Sequence, residues 1–281
     1  MRKLVKILFA LVVILMFFGI ILVFSASGTY SAMKFDSIYV LFKSHLWKVL
    51  IAFVTLVIFA SIPYENYKKH SKYILLAVIF ILILTLFIAP KVKGAARWID
   101  LGFIQFQPSE LAKIILVMHL AAMIERKDAL IQDFQKGFLM TLVWVGIVGV
   151  GLGHSRQSDL FLPESYGDFI FSILGEELGL IGTISILFIY LLIFTIGLVI
   201  AKRAEDKFGQ LLGFGLSFNI VFAAFINAGV VSGILPTTGI TLPFISFGGT
   251  SIIIFAMSVG IIINIASQTA KKQELRAAQV S

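Results

Sequence analysis

A polar, acidic loop runs directly into a long apolar helix in SRQSDLFLPESYGDFIFSILGEELGLIGT, residues 155–183. Asp168 stands at the junction, where water would meet lipid if the helix crosses a membrane. An ionisable residue at such a position is costly and is a functional candidate by default. Asp168 is therefore the first candidate catalytic residue. The alternative is a helix N-cap, because Asp is favoured there and contributes about 1 kcal/mol.

The rest of the chain has the composition of a membrane protein. Hydrophobic residues make up 59% of its 281 residues and charged residues 14%. Because ~20 apolar residues span a bilayer, we predict an all-α, polytopic transmembrane helical bundle of about eight spans. They lie near residues 5–24, 47–63, 72–90, 108–124, 138–153, 168–200, 209–235 and 247–268. Residues 1–270 are predicted to form a single integral membrane domain, and residues 271–281 a short cytoplasmic tail.

The Lys and Arg residues are distributed unevenly over the predicted loops. Most of them fall on one side of the membrane if the N-terminus is inside, which is the orientation that the positive-inside rule favours. Both termini are then cytoplasmic and Asp168 faces outward. This asymmetry accounts for the net charge of +8, and no basic patch interleaved with aromatic residues indicates nucleic-acid binding. The chain has no cysteine, which excludes disulfides and thiolate metal sites.

A second informative stretch is KVKGAARWIDLGFIQFQPSELAK, residues 91–113. Pro108 is typical of the opening of a helix. Glu110 and Lys113 are three residues apart, so they share a helix face and are expected to pair, either as a structural ion pair or as the wall of a polar cavity. Arg97 carries a guanidinium suited to holding phosphate oxygens, and its alternative is a solvated interfacial side chain.

A third stretch, GILPTTGITLPFISFGGTS at residues 233–251, lies between two long apolar helices. Non-helical backbone at membrane depth is tolerated only where protein buries it or water reaches it, so we predict that this stretch lines a cavity. The alternative is an external hairpin in which Gly248 and Gly249 allow close helix packing. In the apolar helix after Asp168, Glu176 and Glu177 are also costly in lipid, and we favour pocket support over catalysis for them.

Together these stretches resemble the SEDS family of bacterial cell-wall proteins, which includes FtsW and RodA. The resemblance is carried by FSAS at 24–27, by GAARWIDLG and FQPSELAK within 94–113, by LPESYGDFIFSILGEELG at 162–179 and by LPTTGITLPFISFGGTS at 235–251. Several long motifs in the same order make chance similarity a poor explanation. SILGEELG and LPTTGI are closer to the division-type FtsW branch than to the elongation-type RodA branch.

The resemblance implies a peptidoglycan glycosyltransferase that polymerises lipid II, a disaccharide-pentapeptide on undecaprenyl pyrophosphate, at the outer face of the bacterial cytoplasmic membrane. Asp168 would be the general base for the 4-hydroxyl of the acceptor sugar. Cations such as Arg97 and Lys113 would neutralise the departing pyrophosphate. The substrate-binding residues implied are Arg97, Glu110, Lys113, Glu164, Glu176, Ser246 and Gly248.

General phosphate chemistry makes a divalent cation such as Mg²⁺ or Mn²⁺ plausible beside the pyrophosphate, although the sequence shows no dedicated carboxylate cage for it. The implied protein partners are a class B penicillin-binding protein transpeptidase and other cell-division proteins. Two other functions fit a polar cavity among helices. One is a lipid II flippase, which needs a site reachable from both faces, and the other is a non-catalytic scaffold for the transpeptidase.

The chain departs from the family in its interior. SEDS proteins resemble one another in having ten spans, a Pro-Asp-Leu-Gly motif after the fifth and a large outward loop before the Asp-bearing helix. Here VWVGIVGV at 143–150 runs directly into GLGHSRQ, and the Pro-Asp-Leu-Gly motif is absent. Roughly two spans are therefore missing relative to the family. Loss of an even number of spans keeps Asp168 on the outer side. The same loss makes the non-catalytic scaffold a stronger alternative to the enzyme.

Overall fold

The computed structural model describes residues 1–88, 99–100, 105–126, 167, 170–236 and 238–280. Within these ranges seven helices follow one another: α1 Arg2–Phe35, α2 Val40–Ser61, α3 Tyr64–Ile88, α4 Pro108–Arg126, α5 Ile170–Arg203, α6 Lys207–Val231 and α7 Ser251–Val280. Two two-residue strands, β1 Ile99–Asp100 and β2 Gln105–Phe106, pair antiparallel, with Ile99 opposite Phe106. The predicted all-helical architecture is confirmed for the described residues.

Five of the described helices contain a stretch long and apolar enough to cross a membrane. These stretches are Arg2–Gly28, Val40–Ser61, Glu177–Arg203, Lys207–Val231 and Ser251–Gln279. The chain is therefore a multi-pass membrane protein. The predicted spans near 72–90 and 108–124 overlap α3 and α4, but neither helix is among these five. The span at 138–153 lies outside the described residues. The total of eight spans stays a prediction.

Helix α7 is the central helix of the bundle. In the most apolar part of its membrane-crossing stretch, 83% of the residues are buried inside the protein. In the other four stretches the buried fraction lies between 28% and 39%. The unburied faces of those outer helices are apolar and suit contact with lipid. Helix α2 packs along α7, α5 packs against α1 and α6, and α4 packs against α3 and α6.

Several helices extend beyond the predicted apolar spans. Helix α1 continues to Phe35 instead of ending near residue 24, α2 begins at Val40 instead of near residue 47, and α7 runs through the predicted tail to Val280. Hydropathy marks the part of a helix that contacts lipid, whereas backbone hydrogen bonding continues past the membrane surface. Helix α5 is kinked at Gly179, which has φ 62°. The kink lies near the start of its membrane-crossing stretch.

Ion pairs gather at one end of the bundle, which we call the charged end. They join Arg2 to Glu274, Lys68 to Glu125, Lys272 to Glu65 and Glu205, and Arg276 to Glu205. The N-terminus, the α2–α3 turn, the end of α4, the α5–α6 turn and the C-terminal part of α7 therefore lie together. Both termini are thus at the same end, as the predicted topology requires. We call the opposite end, which carries the α1–α2 and α6–α7 connections, the loop end.

Candidate functional site

The predicted site residues fall into two groups. Glu110, Lys113, Ser246 and Gly248 lie within the described residues, and all four are at the loop end. For Glu176 only the backbone, within α5, is described. Asp168, Arg97 and Glu164 lie outside the described residues, so their predicted roles stay predictions.

Glu110 and Lys113 form the predicted ion pair. Helix α4 begins at Pro108, as predicted, and its first turn carries Glu110. The Lys113 Nζ donates to Glu110 Oε1 over 2.8 Å. The Glu110 side chain is 12% exposed and that of Lys113 is 40% exposed. The carboxylate is therefore largely enclosed, while the ammonium it holds keeps an open side from which an anion can approach.

The connection between α6 and α7, residues 232–250, is held by buried side chains from two helices. Asn227 of α6 donates its Nδ2 to the carbonyl of Ile240 over 2.7 Å. The buried hydroxyl of Tyr190 in α5 donates to the carbonyl of Pro243. Protein thus covers the second part of the connection, where residues 242–246 are buried, whereas residues 232–236 and 238–239 are exposed. Burial by protein is one of the two conditions under which non-helical backbone is tolerated at membrane depth.

Ser246 and Gly248 shape the same connection. Ser246 is 2% exposed, and its Oγ accepts a hydrogen bond from the backbone N–H of Leu242 over 2.8 Å. A Cβ at position 248 would lie 2.9 Å from Cγ2 of Thr241, so only glycine fits there without a shift. Both residues therefore hold the local shape of the connection. Their predicted contact with a substrate stays a prediction.

Two of the predicted motif stretches meet at the start of α4. The backbone N–H of Gln107, the residue before α4, donates to Thr250 Oγ1 over 3.2 Å. The hydroxyls of Thr241 and Ser251 are 2.7 Å apart and close the connection where α7 begins. The end of the 232–250 connection is thus attached to the segment that presents the Glu110–Lys113 pair.

The opening FSAS motif also meets the motif that follows Asp168. Ser25 of α1 donates its hydroxyl to the Glu177 carboxylate of α5. Glu177 is exposed, and its pocket-supporting role stays a prediction. This contact brings the first turn of the membrane-crossing part of α5 against α1 at the loop end.

Sequence reasoning missed three residues at this end. The Lys48 Nζ of α2 lies 3.8 Å from the ring centroid of Phe247, and the His45 ring centroid is 5.6 Å from the same ring. His45 is 0% exposed and Lys48 is 7% exposed. The available signal was a pair of ionisable residues three apart inside an apolar helix. This spacing is not recognised when the span is predicted to start near residue 47, because His45 then falls in a loop.

The Glu110–Lys113 pair holds the ammonium group of Lys113 close to the membrane surface. Charge-assisted contacts from Lys are suited to phosphate oxygens, and the partner carboxylate of Glu110 restricts where the ammonium can lie. In the described ranges no three His, Asp or Glu side chains gather where they could bind a metal ion. The chemistry that the described residues support is therefore neutralisation of an anionic group at the loop end.

The chain is similar to known proteins over most of its length. The family model described as cell cycle protein, which covers FtsW, RodA and SpoVE, matches residues 5–148 and 145–271. The probable peptidoglycan glycosyltransferase FtsW of Geobacter sp. (strain M18) is 30% identical over 347 aligned residues, which cover 91% of this chain and 95% of the relative.

Two solved structures share the fold. The rod shape determining protein RodA of Thermus thermophilus matches with a TM-score of 0.76 and 24% identity, over 93% of this chain and 96% of that chain. A chain from a peptidoglycan synthase complex that coordinates polymerization and crosslinking matches with a TM-score of 0.72 and 20% identity, over 96% of this chain and 98% of that chain. At this level of identity the two structures support the architecture alone.

The alignments also locate the shortened interior. The alignment is 347 positions long but covers only 91% of the 281 residues of this chain, so the relative carries residues that this chain lacks. The two segments matched by the family model meet at residues 145–148, within the stretch 143–150 where the sequence predicts the missing spans. Because the family model matches nearly all of the chain and the Geobacter relative is aligned over almost its full length, the chain belongs to the FtsW, RodA and SpoVE family of cell cycle proteins.

Proposed function

We propose that the chain is a peptidoglycan glycosyltransferase that polymerises lipid II at the outer face of the bacterial cytoplasmic membrane. The observation that carries the proposal is the Glu110–Lys113 ion pair, which holds a partly exposed cation at the loop end beside two family motifs. The family membership supports the same activity, because the Geobacter relative is a probable peptidoglycan glycosyltransferase.

In the proposed reaction, the 4-hydroxyl of the acceptor sugar attacks the anomeric carbon of the donor. The new glycosidic bond forms as the bond from that carbon to the lipid pyrophosphate breaks, and the hydroxyl proton passes to Asp168 as general base. The leaving pyrophosphate takes the electron pair, and Lys113 and Arg97 neutralise its charge. Glu110 contacts Lys113 and positions it rather than touching the reacting atoms.

The orientation of the bundle supports an external site. Cations accumulate at the charged end, and the positive-inside rule assigns that end to the cytoplasm. The loop end, with Glu110 and Lys113, then faces outward. A flippase would need a site near the middle of the membrane that is reachable from both faces, whereas the candidate residues with described side chains lie at one end. This distribution favours the enzyme over the flippase.

A divalent cation such as Mg²⁺ or Mn²⁺ would add positive charge near the leaving pyrophosphate when bound. In the described ranges no three acidic or His side chains lie together where they could bind it, and Glu164 and Asp168 lie outside those ranges. Polymer formed in the presence and absence of a chelator tests this cation requirement separately.

A class B penicillin-binding protein is the proposed partner. The similar chain from the peptidoglycan synthase complex supports it, since that complex coordinates polymerization with crosslinking. The shortened interior favours one second candidate function, a non-catalytic scaffold that recruits this transpeptidase, because residues present in the relatives are missing here.

The test is to purify the full chain with and without a class B penicillin-binding protein, supply lipid II and compare it with Asp168→Asn. Polymer from the parent and a loss of at least about 100-fold in the variant supports the general base. Equal polymer from both removes Asp168 from catalysis. No polymer from either, with retained partner binding, replaces the enzyme by the scaffold, and translocation without polymer replaces it by the flippase.

A further inference from the structure

Lys48 is a buried cation whose described contact is with an aromatic ring. Its Nζ lies 3.8 Å from the centroid of the Phe247 ring, and its side chain belongs to the membrane-crossing stretch Val40–Ser61. The residue is 7% exposed and forms no ion pair with the described part of the chain. A cation over an aromatic face is attracted by the ring quadrupole, and this attraction is strongest where water is excluded.

His45 completes the enclosure of the same ring. It precedes Lys48 by three residues, so both side chains project from one face of α2. The His45 ring is fully buried, its centroid is 5.6 Å from that of Phe247, and within the described residues its nitrogens make no hydrogen bond. Burying such polar groups is costly. Two buried ionisable side chains, His45 and Lys48, therefore contact and restrict one aromatic ring, that of Phe247.

Phe247 lies near the end of the 232–250 connection, three residues before Thr250, which contacts the segment that precedes α4. It follows Ser246, whose hydroxyl fixes the Leu242 backbone, and it precedes Gly248. Three residues further on, Thr250 accepts the hydrogen bond from Gln107 before α4. Lys48 of α2 thus contacts Phe247, three residues of backbone connect Phe247 to Thr250, and Thr250 accepts from Gln107. The carbonyl of Gln107 in turn accepts from the backbone N–H of Glu110 over 3.2 Å, in the first turn of α4.

We infer that Lys48 is a positioning residue for the Glu110–Lys113 pair: its contact with Phe247 fixes residues 246–250, and these fix the start of α4. The inference rests on the proposed function, since it assigns a role in glycosyl transfer. Lys48 touches neither residue of the pair and acts through Phe247. His45 supports the same contact by restricting the other positions that the ring can occupy.

The first test separates positioning from folding. In purified full-length protein supplied with lipid II, Lys48→Met should lower kcat by about 10- to 100-fold, the range expected when a reacting group is displaced by about 1 Å, with a smaller change in KM. Lys48→Arg keeps a cation over the ring and should restore most of the rate. Lys43→Met makes the same substitution at an exposed position of α2 and should leave kcat unchanged.

A double-mutant cycle tests whether Lys48 acts through the ring. Phe247→Leu should lower kcat as Lys48→Met does, and the combined variant should lose little more than either alone, because both remove one contact. Multiplied losses in the combined variant would overturn the inference. So would full kcat, per folded molecule, in Lys48→Met.

A second readout does not depend on activity. The chain has no cysteine, so Ser109→Cys in the first turn of α4 gives a single thiol reporter. Adding Lys48→Met should change the rate at which a water-soluble maleimide modifies this thiol, whereas Lys43→Met and Lys48→Arg should not. An unchanged rate in Lys48→Met overturns the inference. Absence of polymer from the parent would instead count against the proposed function and leaves this thiol measurement valid.

Discussion

The two ends of the bundle satisfy their polar groups in different ways. At the charged end, oppositely charged side chains from separate helices pair, some of them at the surface: Arg2 and Glu274 are 79% and 59% exposed, whereas Glu125 and Glu205 are 15% and 18% exposed. At the loop end, buried hydroxyl and amide side chains hold backbone groups of the 232–250 connection. The described ion pair there, Glu110–Lys113, has one largely buried member. The exposed Arg2–Glu274 pair and the enclosed contacts of the loop end are the two extremes of this range.

This difference follows from how solvent changes the strength of polar contacts. An exposed ion pair contributes ~0–1 kcal/mol, because water screens it and two long side chains lose freedom. A buried polar group that loses its partner costs about 1–3 kcal/mol, because water cannot replace the lost contact. Removing one member of a buried polar contact should therefore have a larger effect than the same change in an exposed ion pair such as Arg2–Glu274.

The largest expected effect is that of Lys113→Met. Removing the cation should lower the rate of lipid II polymerisation on the order of 100-fold, comparable to the loss of one preorganised donor to a developing negative charge. Polymer length and rate measured with purified protein check this expectation. Lys68→Met is the matched control, because Lys68 forms a similar ion pair with Glu125 at the charged end. Similar rates for the two variants would remove the proposed distinction between the ends.

The next largest effect concerns the packing of α1 against the 232–250 connection. A Cβ at Gly19 would lie 2.6 Å from the carbonyl oxygen of Phe244 and 2.8 Å from Cα of Ile245. Gly19→Ala should therefore cost about 1–3 kcal/mol of stability through overpacking, seen as a lower midpoint of thermal unfolding in detergent. At Gly28, in the same helix, a Cβ would meet nothing within 4 Å. Gly28→Ala should be neutral or stabilising, since Ala favours helix by about 1 kcal/mol.

Local spacing accounts for what the sequence predicted correctly about these ends. The Pro108 helix start and the Glu110–Lys113 pair depend on neighbours within one helical turn, and both are confirmed. The contact between Lys48 and Phe247 joins α2 to a connection far along the chain. No periodicity encodes such a contact, because it depends on how α2 packs along α7.

Hydropathy explains the errors in helix length. The spans predicted for α1 and α2 are shorter than Arg2–Phe35 and Val40–Ser61 because apolar composition ends before the helix does. That error concealed His45, which a span beginning near residue 47 leaves in a loop. In the polar segment 271–281, predicted to be a short cytoplasmic tail, α7 continues to Val280. The division of the chain at residue 270 stays a prediction.

A pH-dependent loss of stability is expected at the charged end. Burial raises the pKa of Tyr67 from 10 to about 12, and one pKa unit corresponds to about 1.4 kcal/mol. The pKa of Tyr67 is higher in the folded than in the unfolded protein. Its contribution to the free energy of unfolding is therefore complete below pH 10 and is lost as the pH rises through 12. The parent should therefore lose on the order of 2 kcal/mol more than Tyr67→Phe over this window. Thermal unfolding of both proteins at several pH values measures the difference, and parallel curves would contradict it.

Tyr64→Phe removes a hydrogen bond that Tyr67→Phe does not. The Tyr64 hydroxyl donates to Asp206 Oδ2 over 3.0 Å, and Asp206 Oδ1 also accepts from the Gly209 N–H at the start of α6. The hydroxyl of Tyr67 is buried and has no hydrogen-bond partner among the described residues. At neutral pH, Tyr64→Phe should cost about 1 kcal/mol, whereas Tyr67→Phe should cost less. Equal losses would mean that the contact with Asp206 contributes nothing.

The smallest expected effect is that of the exposed pair between the two termini. Arg2→Ala and Glu274→Ala should each change stability by ~0–1 kcal/mol, and the coupling between them should shrink further as salt is added. A double-mutant cycle at low and high salt measures that coupling. A large, salt-independent coupling would show that this contact excludes water despite its exposure, and the charged end would then restrict helix positions as the loop end does. A small, screened coupling leaves the loop end as the part of the bundle whose polar contacts set the positions of the proposed catalytic groups.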